Sequence, residues 1–315
     1  MLLDEYAIIP DVFDPRSYAS PELADAFLTS LRRPLTEEAV VANLRNGEWL
    51  NVVAGNLAGY SQRAKGLVAD LIKLKRLMPR PIAMAGVCGT SLDWSNEAVA
   101  SNHTEPLTGI VAPQDIVGQI KWLKGPIETV DRLHLAKWWR PGACSVKTPR
   151  TIDAYTVVLR PVLRHANSVM LIDPYLDPGE HRYAGVVQIL EALMGRAPSP
   201  LIEIHRVVSW GSGRDRTPRD QSFWEGRFAT LSRSLKDMRL KANVHVWDDF
   251  HDRFLLTNHV GVSMTNGFDT DGDPKASMVW NRMDRSASDD VQREFDPGAG
   301  RHKLWFDFSI GLAPS

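Results

Sequence analysis

Apolar and polar positions alternate with a helical rhythm at the start of the chain and with a strand-and-helix rhythm later. Ser20-Pro21-Glu22 reads as a helix start, a capping serine ahead of proline, and "ELADAFLTSLRRPL" carries the apolar stripe onward. Thr36-Glu37-Glu38 predicts the start of a second helix. "SQRAKGLVADLIKLKRLM" predicts a third, with Leu67, Val68, Leu71, Ile72 and Leu74 on one face and Lys65, Lys73, Lys75 and Arg76 around it. Pro79 and Pro81 end it. Between "RPIAMAGVCG" and "LTGIVAP", short strands and irregular connections fit equally. Asp131 to Arg150 is basic, holds the adjacent Trp138 and Trp139, and reads as a junction.

After Thr151 the pattern sharpens. "TIDAYTVVLRPVLRHA" predicts a helix with a kink at Pro161, and "SVMLIDPYL" a buried strand ending at Asp173-Pro174-Tyr175. "EHRYAGVVQILEALMG" predicts an amphipathic helix closed by Gly195, "LIEIHRVVSW" a strand, and "DQSFWEGRFATLSRSLKDM" a helix. "NVHVWDD", "RFLLTN", "VGVSMT" and "KLWFDFSI" read as strands. The expected fold class is α/β: a mixed sheet between helices over residues 151–315, preceded by a mainly helical region over residues 1–150 whose role is unassigned.

Composition narrows the class without naming a function. At 315 residues, 43% apolar and 24% charged, the chain is ordinary globular material for one large domain or two smaller ones. A net charge of −1 gives no whole-protein argument for nucleic acid or membrane. Cys88 and Cys144 lack both metal-ligand spacing and a framework pattern, which points to a reducing compartment. The acidic start "MLLDEYAIIPDVFDP" is unlike a signal peptide, and no apolar run reaches the roughly 20 residues of a spanning helix. A soluble, cytoplasmic protein with no transmembrane segment is expected.

The chemistry concentrates in "VHVWDDFHDRFLLTNHVGVSMTNGFD", Val244 to Asp269. Burying such charges costs several kcal/mol each unless they are paired or used. In an extended chain His251 and Arg253 share one side, by the period of two. An imidazole beside a fixed guanidinium suits a phosphodiester: the ring can attack, and the cation can grip phosphate with two parallel N–H groups. Asp248, Asp249 or Asp252 can orient His251, or can simply be a solvated loop. Asp173 and Tyr175 stand at a strand end, where open α/β sheets place ligands, and Tyr175 can stack on a base or headgroup. Ser263 and Asn266 can donate to phosphate.

These residues resemble a family motif. The phospholipase D superfamily carries H-x-K-x4-D followed by a small-residue stretch. Here His251, Arg253 and Asn258 stand at that spacing, with arginine for lysine and asparagine for aspartate, and "TNGFD" lies where the small residues would be. "HDRF" with a downstream "GFD" is similar to the divergent single-motif members, including the phospholipase D-like C-terminal module of MIT-domain proteins, which is thought to bind rather than cleave. The resemblance covers about the last half of the chain. It implies a metal-independent phosphodiesterase, a hydrolase acting as a nuclease without cofactor, with His251 as nucleophile, Arg253 as phosphate clamp and Asn258 supporting the motif. The enzymes use two motif copies. His205-Arg206 and His302-Lys303 have the wrong spacing, so a homodimer would have to complete the site. The two departures favour an alternative: an inactive module binding a phosphate-bearing ligand, a membrane headgroup or a protein partner, or a scaffold subunit of a larger complex.

Weaker candidates remain. His245, Asp248, Asp249 and His251 have metal-ligand chemistry, but the expectation is that no metal is bound. "DTDGDPKA" lacks the glycine and glutamate of a calcium loop. In "WGSGRDR" and just after it, Arg214, Arg216 and Arg219 either line a nucleic-acid path or sit in an exposed loop. "KWWRPG" suits base stacking, though buried tryptophans at a junction fit better.

Overall fold

A computed structural model describes residues 1–211 and 216–312. The chain forms two units, Leu3–Ala143 and Cys144–Ser315, the latter joined by Met1–Leu2.

In the first unit the chain order is β1 (Asp4–Ile8), α1 (Pro21–Arg33), β2 (Ala39–Asn43), α2 (Glu48–Gly55), α3 (Gln62–Lys73), β3 (Leu77–Pro79), α4 (Ser91–Thr104), β4 (Gly109–Ala112) and β5 (Ile127–Thr129). More of its residues are helical than extended, but its centre is a five-stranded sheet, order β3-β2-β1-β4-β5, with every pair parallel. The helix expected from Thr36 is replaced by a wide helical turn, Pro34–Glu38, that runs straight into β2. "AVVA" is apolar throughout because β2 is covered on both faces, as parallel strands are. Ser20 caps α1 as expected, its hydroxyl accepting from the Leu23 amide at 3.3 Å. α3 stops at Lys73, Lys75 turns through positive φ, and Leu77 returns as a strand, which leaves Ile72 49% exposed. The unassigned stretch contains α4, capped by a reciprocal Thr90–Asp93 pair. Its buried side holds Ser95, Glu97 and Ser101, so the apolar period was missing from the sequence. Trp138 and Trp139 pack on Tyr6 at 5.9 and 5.1 Å between ring centres, as core rather than as a stacking platform.

The second unit runs β6 (Ser145–Pro149), α5 (Ile152–Leu163), β7 (Ser168–Ile172), α6 (Val186–Leu190), β8 (Leu201–Val207), β9 (Ser209–Trp210), β10 (Thr217–Pro218), α7 (Gln221–Asp237), β11 (Lys241–Trp247), β12 (Phe254–Thr257), β13 (Gly261–Met264), β14 (Ser277–Arg282), α8 (Arg285–Glu294) and β15 (Leu304–Gly311). Eight strands make one mixed sheet, order β15-β11-β8-β7-β12-β13-β14-β6. Only the β8 pairings with β7 and β11 are parallel within it. β6 pairs with β14, so the boundary falls at Ala143 rather than at residue 150.

Register and alternation assign the two faces. Leu255, Leu171, Ile204, Val244 and Phe308 are neighbours across five strands, and Phe308 meets Phe228 of α7 edge-on at 5.7 Å. α6 lies beside α7, and α5 beside α6. The opposite face carries Met170, Ile172, Val207, Trp247 and Leu256, covered by Val291 of α8 and Phe295 after it. The sheet is therefore a layer between helices. The amphipathic helix expected over residues 180–195 is instead a broken run: single turns at His181–Tyr183 and Glu191–Leu193 flank the short α6. β14 and α8 were unread, because "SMVWNR" is short and α8 buries only Val291.

Candidate functional site

Asp173 follows the last residue of β7, and nothing of it is exposed. Its Oδ1 accepts from the Tyr175 amide at 2.9 Å, and its Oδ2 from the Phe268 amide at 3.1 Å. It thus ties the β7 end to the "TNGFD" turn. Gly267 has φ +72°, and a Cβ there would stand 2.1 Å from Asp173 Oδ2 and 3.0 Å from Arg253 Cδ. Only glycine allows that approach. Burial pushes the Asp173 carboxyl up to about 6, against the pull of the two amides and of Arg253.

Arg253 stands one residue before β12, in an irregular segment that also holds His251. Its Nε is 3.8 Å from Asp173 Oδ1, and its Nη1 donates to the carbonyls of His251 and Thr265 at 3.3 and 3.5 Å. Its guanidinium carbon lies 5.2 Å from the centre of the Tyr175 ring. Arg216 lies 5.7 Å from the same ring and donates to Asp249 Oδ1 at 3.1 Å. Asp249 Oδ2 in turn is 3.9 Å from Nε2 of His251, whose side chain is 75% exposed. Two guanidinium groups, one phenol ring, one exposed imidazole and two carboxylates are therefore linked at the carboxyl ends of β7 and β11 and the start of β12.

Buried scaffolding holds this edge. Arg206 has 2% exposure, sits 3.2 Å over the Trp224 ring, and donates to the carbonyls of Leu176, Val207 and Ser209. That pins the loop after Tyr175 to the end of β8. Asp177 accepts from Arg227 at 2.9 Å and from the Gly179 amide at 3.0 Å. Arg150 bridges Asp269 at 2.7 Å and Asp271 at 2.8 Å, closing the far side of the turn.

The sequence-expected residues divide. Arg253, Asp173 and Tyr175 come together, whereas His251 meets Arg253 through its backbone carbonyl and turns its imidazole toward Asp249. Asn258 follows the other end of β12, where its Oδ1 accepts from the Asn167 and Ser168 amides at 2.6 and 3.4 Å. It holds the turn into β7 and is not beside His251, because the four residues of β12 intervene. Ser263 lies within β13, paired across to Phe254. Asn266, with its amide oxygen toward Arg150 Nη1 at 3.3 Å, belongs to the turn. Of the three acids weighed for orienting His251, Asp249 lies 3.9 Å from its Nε2, while Asp248 accepts from the Lys303 amide at 3.2 Å. His245 is out of phase with Asp249 and His251, since β11 ends at Trp247. Of the glycine-arginine stretch, Arg214 lies outside the described residues, Arg216 joins the site, and Arg219 rests on Trp210 and Phe223 at 5.4 and 5.2 Å. Arg216, expected on a nucleic-acid path or in an exposed loop, instead stands against Tyr175, and Arg206 was not among the expected residues. The signal for Arg206 was a charged residue inside the apolar strand "LIEIHRVV".

In the first unit, Asp11 and Asp115 follow β1 and β4, and Asp115 is pushed up by burial and by the charges of Asp11 and Asp14. Among the described residues no helix is long and apolar enough to cross a membrane.

No family model and no curated protein matches the chain. Among solved structures it is similar to the archaeal chromatin protein TrmBL2, reported to show a novel mode of DNA binding, at 13% identity and TM-score 0.30. That match covers 55% of this chain and 59% of the other. It is also similar to a phosphatidylserine synthase of Haemophilus influenzae Rd KW20, at 12% identity and TM-score 0.31, over 51% of this chain and 39% of that one. The chain thus spans less than two thirds of either structure. At these scores neither likeness lends this chain a function.

Proposed function

We propose that the second unit is a phospholipase D-like module that binds a phosphate-bearing ligand at the Arg253–Tyr175–Arg216 edge. One observation carries the reading. Arg253 is fixed through Nε by Asp173 and through Nη1 by two carbonyls, while its Nη2 makes no hydrogen bond among the described residues. A guanidinium held on one side and open on the other is preorganised for an anion. Tyr175 adds a flat surface for a base or headgroup, and exposed His251 adds a second donor at the rim. Nucleic acid fits this edge better than a lipid bilayer, since the chain offers no basic amphipathic anchor.

The test is binding of a fluorescent single-stranded oligonucleotide by polarisation. Loss of signal change in Arg253→Ala, with the fold intact by circular dichroism, supports the reading. Equal binding by Arg253→Ala and wild type ends it.

A second reading keeps catalysis. Asp249 stands 3.9 Å from His251 Nε2, and the imidazole is 75% exposed, so another copy of the chain can bring its own His251 to the same phosphate. The paired protein would then cleave a phosphodiester in EDTA, one ring attacking and the other protonating the leaving oxygen. Cleavage that survives His251→Ala, or a protein that stays monomeric while cleaving, sinks it. If the module neither binds nor cleaves phosphodiesters, a scaffold role within a larger complex is what is left.

A further inference from the structure

On the face of the sheet under α8, strand register aligns Glu203 and His205 of β8 with the neighbouring strand. His205 is the direct cross-strand partner of His245 on β11, and Glu203 precedes His205 by two residues, so all three side chains share one face. Their ligand atoms lie within 4.8 Å of one another. His205 Nε2 is 3.6 Å from Glu203 Oε2, and the two imidazole rings stack at 4.9 Å and 24°. His205 has no exposed surface, yet its Nε2 has no hydrogen-bond partner, and neither has Nδ1 of His245. Nε2 of His205 thus has only the Glu203 carboxylate before it, just beyond hydrogen-bond distance, and Nδ1 of His245 has no partner, whereas buried ring nitrogens are normally satisfied. Glu203 also forms part of the wall of a cavity of about 620 Å³ that runs beneath α8.

We propose that Glu203, His205 and His245 form a site for one divalent transition-metal ion of borderline softness, Zn²⁺ being the type. Two imidazoles and one carboxylate are the donor set such ions prefer over Mg²⁺ or Ca²⁺. Of the three proposed ligands only Glu203 lines the cavity, which gives an approach to the site from the α8 side. This site is independent of the phosphate reading of Arg253.

One contact, from Trp247, opposes the ion. Trp247 Nε1 donates to His205 Nδ1 at 3.1 Å, which in the metal-free protein leaves the ring proton on Nε2, facing Glu203. An ion on Nε2 moves that proton to Nδ1, where it meets the indole N–H head-on. Loading therefore breaks the Trp247 bond and shifts the indole. A single neutral hydrogen bond is small beside three metal–ligand bonds, so the exchange favours the ion. Trp247 is fully buried and in ring contact with both histidines, so its emission reports the event.

The experiment titrates the metal-stripped full chain with Co²⁺ and Zn²⁺. Expected are one equivalent bound, visible cobalt absorption of a four- or five-coordinate ion, and a change in tryptophan emission that saturates at the same equivalence. X-ray absorption on the zinc-loaded wild type should count two imidazoles. Glu203→Gln and His245→Gln, both at partly exposed positions, should each weaken binding by more than the ~10–100-fold that even an outer partner costs. Absence of stoichiometric binding by the folded wild type overturns the site. So does a bound ion with fewer than two imidazoles, or undiminished affinity in both variants. Phosphodiester binding is measured in parallel and should not depend on the metal, so the two readings fail separately.

Discussion

The Nε of Arg253 stands 3.8 Å from Oδ1 of Asp173, a carboxylate with no exposed surface. The pair sets where Arg253 points. A buried acid takes one edge of the guanidinium and leaves the other toward Tyr175 and the rim that carries His251. Under the proposed phosphate reading Asp173 positions Arg253 rather than touching the ligand, since its oxygens already accept two backbone amides.

Arg253→Ala should weaken phosphodiester binding by about 1.5–3 kcal/mol, the worth of a charged hydrogen bond, or roughly ten- to a hundredfold. Arg253→Lys keeps the charge but loses the fork and should fall between the two. Titration of all three proteins at one salt concentration checks the order. A lysine variant as weak as the alanine variant would mean that fork geometry, not charge, carries the site.

Two buried groups should oppose each other in the acid range. Asp173 is raised to about 6 from 3.8, so the folded protein holds its proton more tightly than the unfolded chain. That contribution is fully present below about pH 4 and is lost as pH rises through 6, about 3 kcal/mol in all. His205 is lowered to about 4 from 6.5, so its contribution is present above pH 6.5 and is lost as pH falls through 4, again about 3 kcal/mol. Asp173→Asn removes the first and exposes the second. Denaturant midpoints from pH 7 to 4 should fall more steeply in Asp173→Asn than in wild type; parallel curves refute the assignment.

Gly267→Ala should lower stability by about 1–3 kcal/mol, since it adds strain at positive φ and drives Cβ into Asp173. The same change should loosen Arg253 and reduce binding even where the protein stays folded. Binding measured well below the midpoint separates the two effects. Unchanged stability and binding would show that the turn does not hold Arg253.

Asn258→Asp should leave phosphodiester binding unchanged, because Oδ1 still accepts the Asn167 and Ser168 amides. Asn258→Ala removes that acceptor from the turn and should cost about 1–2 kcal/mol of stability. A large gain of activity in Asn258→Asp would instead return this position to the catalytic machinery.

By itself the sequence determined the elements whose signals are local. Caps and period-two or helical stripes located α1, α7, β7, β8, β11, β12, β13 and β15, because these depend on neighbours a few residues away. It also picked out His251, Arg253, Asp173 and Tyr175 as residues with chemistry to explain. It failed where the burial of an element comes from distant chain. β2 stands where a helix from Thr36 was expected, β14 gave no strand signal, α4 buries polar groups, and the parallel sheet of the first unit exists through pairings between remote segments. Only the tertiary structure decided which residues meet. It separated Asn258 from His251 by the length of β12, set Arg216 and Arg253 on one tyrosine, and placed His205 beside His245 through the register of β8 and β11. Spacing along a chain fixes which side a residue faces within one strand. Which strand lies alongside, and at what offset, follows from burying the whole sheet between its helices, and no short window of sequence contains that.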